Sequence, residues 1–319
     1  MVAVSTDRIP GEHLSLPPVI DNRLLHGYAL FVSVCTLGLI ALGAAVTSIG
    51  AGLSIPDWPL AYGQLLPSLH GLAELQYIHR LVAALVAVAT VGLAVWIWRR
   101  DRRAWVKWLG FLSVGLIAME VLLGGISVLL QLPKSLSLAH ACIAHLCLGL
   151  VSVIAFVTGS DRCAAPVLVS DYGWPTLRSL AIWTPLLVWC QILLGALYRH
   201  RITGVVPHII GALLVTGAVM LFSMFVLTQF PRHATLNRAA LAALLIVFVQ
   251  LMLGVVTYMS GVVADAQSAP GPLTVFATVA HVSVGGVLFV ASIVLGLQVR
   301  RNVLPKAASR AEASVGAAL

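Results

Sequence analysis

Eight stretches of about twenty apolar residues leave this chain few folds to choose from. They run over 27–48, 77–98, 108–131, 138–159, 178–198, 206–229, 239–259 and 273–298. A bilayer's hydrocarbon core is about 30 Å thick, and roughly 20 helical residues cross it. The chain is 60% hydrophobic and only 9% charged, with a mean hydropathy of +1.01. A soluble chain carries roughly 25% charged residues. The sequence therefore predicts an all-α polytopic membrane protein with eight transmembrane helices.

The net charge of +8 could suggest a nucleic-acid partner, but the positions of the cations argue for topology instead. Of the 19 Lys and Arg, only Arg80, Lys134, Arg199 and Arg201 fall on one side of the predicted spans; the remaining 15 fall on the other. The positive-inside rule then places both termini in the cytoplasm, as expected of a multi-pass protein of the cell (inner) membrane. The first 25 residues are polar and contain proline, so no cleavable signal peptide is expected and helix 1 should act as its own insertion signal. None of Cys35, Cys142, Cys147, Cys163 and Cys190 lies in a predicted external loop, which argues against an external disulfide. Cys142 and Cys147 flank a histidine within one helix and read as packing residues.

Four helices per half means both halves enter the membrane in the same sense. A duplication would then give two pseudo-symmetric four-helix bundles related by an axis along the membrane normal. Short strings support it. EVLLGG from Glu120, QILLGA from Gln191 and QLMLGV from Gln250 recur in helices 3, 5 and 7. HRLVAALVAV from His79 matches HIIGALLVTG from His208, and AHACIAHLCLG from Ala139 matches AHVSVGGVLFV from Ala280.

His79, His140, His208 and His281 thus occur once per even-numbered helix, toward its outer end. An ionisable residue inside a membrane helix is a functional candidate by default. Imidazoles from facing bundle helices can hold a haem iron from both sides, so two pairs predict two haem sites, one per half. The alternative is that each is a helix–helix hydrogen-bonding residue. His145, about 140° round the helix from His140, reads as ordinary. So do His13, His26 and His233, which are cytoplasmic or at that interface, and His70 and His200 in external loops. Arg80, Arg199 and Arg201 run against the positive-inside bias. Either they partner haem propionates or they snorkel to headgroups.

The first external loop reads TSIGAGLSIPDWPLAYGQLLP, from Thr47 to Pro67. With the later IHR and the LGG strings, it resembles the haem A synthase family, eight-helix proteins of cytochrome oxidase assembly. The resemblance spans helices 1 to 8. It implies an oxidoreductase that converts haem O to haem A, oxidising a ring methyl group to a formyl group by successive hydroxylations. It further implies haem B on His208 and His281, and substrate haem facing His79 and His140. The bundles would cover 26–159 and 178–299, joined by a linker at 160–177 and flanked by cytoplasmic tails at 1–25 and 300–319. The implied partners are a haem O synthase and an electron donor of unknown identity. No nucleic acid is implied, and a homo-oligomer is left open.

The chain departs from the family at two places. Ile55 and Ala61 stand where many members carry cysteines, so it resembles a cysteine-free branch. Gln76 stands where the family has a glutamate implicated in activity. It lies three residues before His79, about 60° away on the same face. Glutamine cannot take a proton near neutral pH. Two residues could supply the acid instead. Glu74 could do so if 70–76 are not helical and fold back. Glu120 could do so from helix 3, although its place midway along the span sets it about 10 Å deeper than His140. A non-enzymatic haem-binding or haem-transfer protein is the rival reading. A quinol-linked carrier of cytochrome b type is a second rival, which the PDWP loop opposes.

Overall fold

The computed structural model describes residues 23–159, 166–171, 174–263 and 270–304. The expectations for Cys163, His13, most of both tails and much of the linker fall outside them. Eight helices long and apolar enough to cross a membrane make up most of the described chain. They are α1 Arg23–Ser48, α2 Leu72–Arg100, α3 Ala104–Leu129, α4 Lys134–Thr158, α5 Leu177–Arg199, α6 Val206–Gln229, α7 Ala234–Val263 and α8 Pro272–Asn302. The chain is an all-α polytopic membrane protein. Only a helix satisfies every backbone group within its own span in lipid.

The polar ends fix the boundaries. Thr176 caps α5 by accepting from the Ser179 N–H at 3.1 Å, and prolines open α6 and α8, where a missing N–H costs nothing. Arg99 and Arg100 close α2, and Arg300 and Arg301 close α8, each opposing the negative end of the helix dipole. Between α2 and α3, the Asp101 carboxylate receives the Arg103 backbone N–H at 2.9 Å and its guanidinium at 2.6 Å. Helices α2 and α4 begin five and four residues earlier than apolarity alone predicts, because their first turns are polar.

In the first half α1 packs on α2 and α4, and α3 packs on both of these; α5 to α8 repeat the ring. The halves meet through α1 with α8, α4 with α5, and α4 with α8. Exchanging the halves turns the first two contacts into each other and α4–α8 into itself, as a twofold axis between α4 and α8 requires. Gly286 and His145 are repeat counterparts, and they meet there: a Cβ on Gly286 would lie 3.5 Å from the His145 ring.

Each bundle has its apolar core at the end away from the four histidines. Leu25, Val32, Leu93, Ile97, Val106 and Ile154 fill one, and Leu180, Phe222, Val226, Leu236, Leu295 and Val299 fill the other. Leu85, Val88, Leu213 and Leu245 face outward, exposed, as lipid-facing residues do. At the core end the short strands Val169–Ser170 and Val303–Leu304 pair in parallel.

Candidate functional site

The four histidines gather at one end of the molecule, and each sits against a glycine of the preceding helix. A Cβ on Gly43 would lie 3.0 Å from His79 Cε1, on Gly124 3.3 Å from His140, on Gly195 2.9 Å from His208, and on Gly254 3.0 Å from His281. The LG strings of the odd helices are therefore seats for imidazole rings.

Four residues before the seat, three odd helices carry a polar side chain that meets the same histidine. The Gln191 amide nitrogen lies 2.9 Å from His208 Nδ1 and donates to the His208 carbonyl at 2.8 Å. The Gln250 amide nitrogen lies 3.4 Å from His281 Nε2. Glu120 Oε2 lies 3.0 Å from His140 Nδ1, a contact that has the length of a hydrogen bond but not its direction; the short distance is the stronger fact. Helix α1 carries Leu39 at that register position.

This corrects the expected depth of Glu120. Helix α3 ends at Leu129 and α4 starts at Lys134, which lowers His140 into the helix and brings the two side chains level.

His208 and His281 face each other with ring centroids 6.2 Å apart and planes at 87°. An imidazole nitrogen sits about 2 Å from a bound metal ion, which puts two rings sharing one ion roughly 6 Å apart, centroid to centroid. His79 and His140 lie close enough to interact electrostatically. His79 Nδ1, His281 Nδ1, Gln191 Oε1 and Gln250 Oε1 are buried without a hydrogen-bond partner. Most buried polar groups are paired within a protein, so these atoms are open to a ligand. The donor set and the glycine seats fit a haem at each histidine pair, and the spacing of His208 and His281 fits one between those two rings.

The loop between α1 and α2 is knitted to α2 on either side of His79. Gln76 is buried; its Oε1 accepts from the Ile55 N–H and its Nε2 donates to the Gly52 carbonyl, both at 2.6 Å. Arg80 donates to the carbonyls of Asp57, Leu60 and Ile55 at 2.8, 3.0 and 3.1 Å. Asp57 accepts from the Tyr62 and Gly63 N–H groups at 2.8 Å each. The Gly63 bond holds its carboxyl below the usual carboxylate range against some burial, with the Tyr62 bond adding to it. Ile55 and Ala61 are buried. Trp58 lies over Gly125 so closely that a Cβ there would come within 2.4 Å of the indole.

Two expectations change here. Gln76 shares a helix face with His79 in projection, yet its amide serves the loop. Glu74 does not fold back: residues 72–76 are helical, and Glu74 is exposed in the first turn of α2.

Arg199 is half-buried and crosses to the other bundle, where its Nη2 donates to the Ala44 carbonyl at 2.7 Å and to Ser48 Oγ at 2.9 Å. It lies one turn beyond Gly195, and Ala44 is next to Gly43, so it stands between the two histidine sites. Arg201 is exposed, and its carbonyl accepts from Lys134 Nζ at 3.1 Å. His26, His145 and His233 hold the carbonyls of Ala155, Ala141 and Val167. Cys35, Cys142, Cys147 and Cys190 are free thiols.

The sequence analysis does not anticipate the seating role of Gly43, Gly124, Gly195 and Gly254, nor the pairing of Gln191 and Gln250 with histidines. The recurrent polar–x–x–Leu–Gly spacing was the available signal. Nothing in the string PDWP marks Gly125 as the seat of its tryptophan.

Fold and site together define a membrane protein with one histidine pair in each of two like four-helix bundles. Residues 26–71 and 67–152 match a family model described as cytochrome oxidase assembly protein. A haem A synthase of Alkalihalophilus pseudofirmus is 30% identical over 151 residues, covering 46% of this chain and 51% of that protein. One of Lysinibacillus sphaericus is 30% identical over 186 residues, covering 56% and 59%. One of Staphylococcus aureus is 24% identical over 248 residues, covering 69% and 80%. The chain spans about half to three-fifths of the length of the first curated relatives it matches. Over these residues the chain is similar to cytochrome oxidase assembly proteins and to haem A synthases.

Proposed function

We propose that the chain is a haem A synthase-type oxidoreductase of cytochrome oxidase assembly, converting haem O to haem A by successive hydroxylations of one ring methyl group. The observation that carries this is the repeated seat: four histidines, each against a glycine of the preceding helix, paired within each bundle. His208 and His281, in 178–299, would hold haem B. His79 and His140, in 26–159, would face the substrate haem O. When bound, the haem irons supply the redox chemistry.

The protein's own part is to bind, orient and exclude water. The glycine seats fix the imidazole edges. Gln191 and Gln250 orient the C-terminal pair as partners of the ligating rings. The loop held by Gln76, Arg80 and Asp57 covers the N-terminal pair, with Trp58 beside the Gly124 seat. Arg199, between the two sites, is the better placed propionate partner, since Arg80 already binds three carbonyls. Arg201 suits the membrane surface. Haem O synthase is the proposed supplier of substrate, and both termini are assigned to the cytoplasm.

Coexpression with a haem O synthase in a host lacking haem A tests this. Extracted haems should include haem A or its hydroxylated precursor. Bound haem B beside unchanged haem O would instead support a non-enzymatic haem-binding or transfer protein. That reading is kept open by one observation: Gln76, at the position of the family's acid, holds the loop through both ends of its amide.

A further inference from the structure

The two histidine pairs are built differently. Gln191 and Gln250 serve both C-terminal rings. In the N-terminal bundle the register is unequal: Glu120 stands 3.0 Å from His140 Nδ1, whereas α1 carries Leu39 at the matching position. A partner on the second ring nitrogen fixes a ligating imidazole and strengthens it as a ligand, and its loss costs roughly 10–100-fold in metal affinity. A carboxylate does this more strongly than an amide. We infer that the N-terminal pair consists of one fixed and one exchangeable iron ligand: His140, positioned by Glu120, retains the haem, and His79 gives up its place to a small external ligand. This rests on the N-terminal bundle being the substrate-haem site. With haem bound, His79 would yield its place as a ligand to the incoming molecule, one ligand for another, with no electron transferred. It occurs beneath the loop that Gln76 and Arg80 hold on either side of His79.

Carbon monoxide is the probe, added to the reduced, haem-loaded full-length protein. Wild type should bind it at one of two haems. His79→Ala should keep both haems and bind carbon monoxide at least tenfold more tightly, and His140→Ala should lose one haem. Glu120→Leu should weaken the N-terminal haem at least tenfold, with Glu120→Gln restoring most of the loss. Leu39→Gln installs the amide the other helices carry, and should lower carbon monoxide affinity roughly tenfold. The unchanged spectrum of the haem on His208 and His281 reports that each variant is folded. Haem loss in His79→Ala with retention in His140→Ala overturns the order of ligands, as does a Leu39→Gln variant that binds carbon monoxide like wild type. If folded variants of both residues leave haem content and spectra unchanged, the N-terminal haem reading itself fails, and the inference with it.

Discussion

Gln76 stands at a position expected to be catalytic, and in the fold its amide is engaged by the 49–71 loop. Its two hydrogen bonds run in opposite senses, one accepting from Ile55 and one donating to Gly52. An amide does both, whereas an ionised carboxylate only accepts. Gln76→Glu should therefore weaken the loop's attachment by about 1–3 kcal/mol, because a carboxylate oxygen would face the Gly52 carbonyl without a proton to share. Limited proteolysis within 50–67 measures this; unchanged cleavage kinetics would contradict it. The four histidines were readable because an ionisable residue repeated in apolar helices stands out. The glycines were not, since a small residue in a membrane helix serves many kinds of packing and only the ring opposite it shows which. Gly195→Ala should move His208, as its Cβ would lie 2.9 Å from Cε1. The expected result is a shifted haem spectrum and about 1–3 kcal/mol lower stability.

At the scale of elements, the spans were legible to within a few residues because hydropathy alone decides what crosses a bilayer. The 49–71 connection was not, since its shape depends on contacts with α2 and α3. Asp57 is its hinge pin. The Gly63 N–H, and then the Tyr62 N–H, lower its folded pKa below the unfolded value of about 3.9. Asp57's contribution to the loop's order is therefore full above that value and is lost as pH falls through the lower folded one. Amide exchange at Tyr62 and Gly63 should be slow at pH 6 and accelerate, beyond its intrinsic pH dependence, on acidification below the carboxylate range. Asp57→Asn, with one acceptor oxygen in place of two, should show faster exchange even at pH 6. Equal protection in the two proteins would remove Asp57 from this role.

At the scale of the whole molecule, the duplication seen in short strings reappears as a twofold relation between bundles, with His145 and Gly286 meeting near the axis. What the strings could not show is how the halves join at the histidine end, because Arg199 binds a backbone carbonyl and a serine on a helix far away in sequence. Arg199→Ala should lower thermal stability by about 1–3 kcal/mol and leave the Ala44 carbonyl without this donor; an unchanged melting profile would show that Arg199 does not hold the bundles together. The central claim is that each bundle binds haem through its own histidine pair. The most direct measurement is the haem content and reduced-minus-oxidised spectrum of purified His208→Ala beside wild type. Two independent pairs predict loss of the C-terminal haem B with the N-terminal site still able to take up haem; an unchanged haem absorbance in the variant would contradict them.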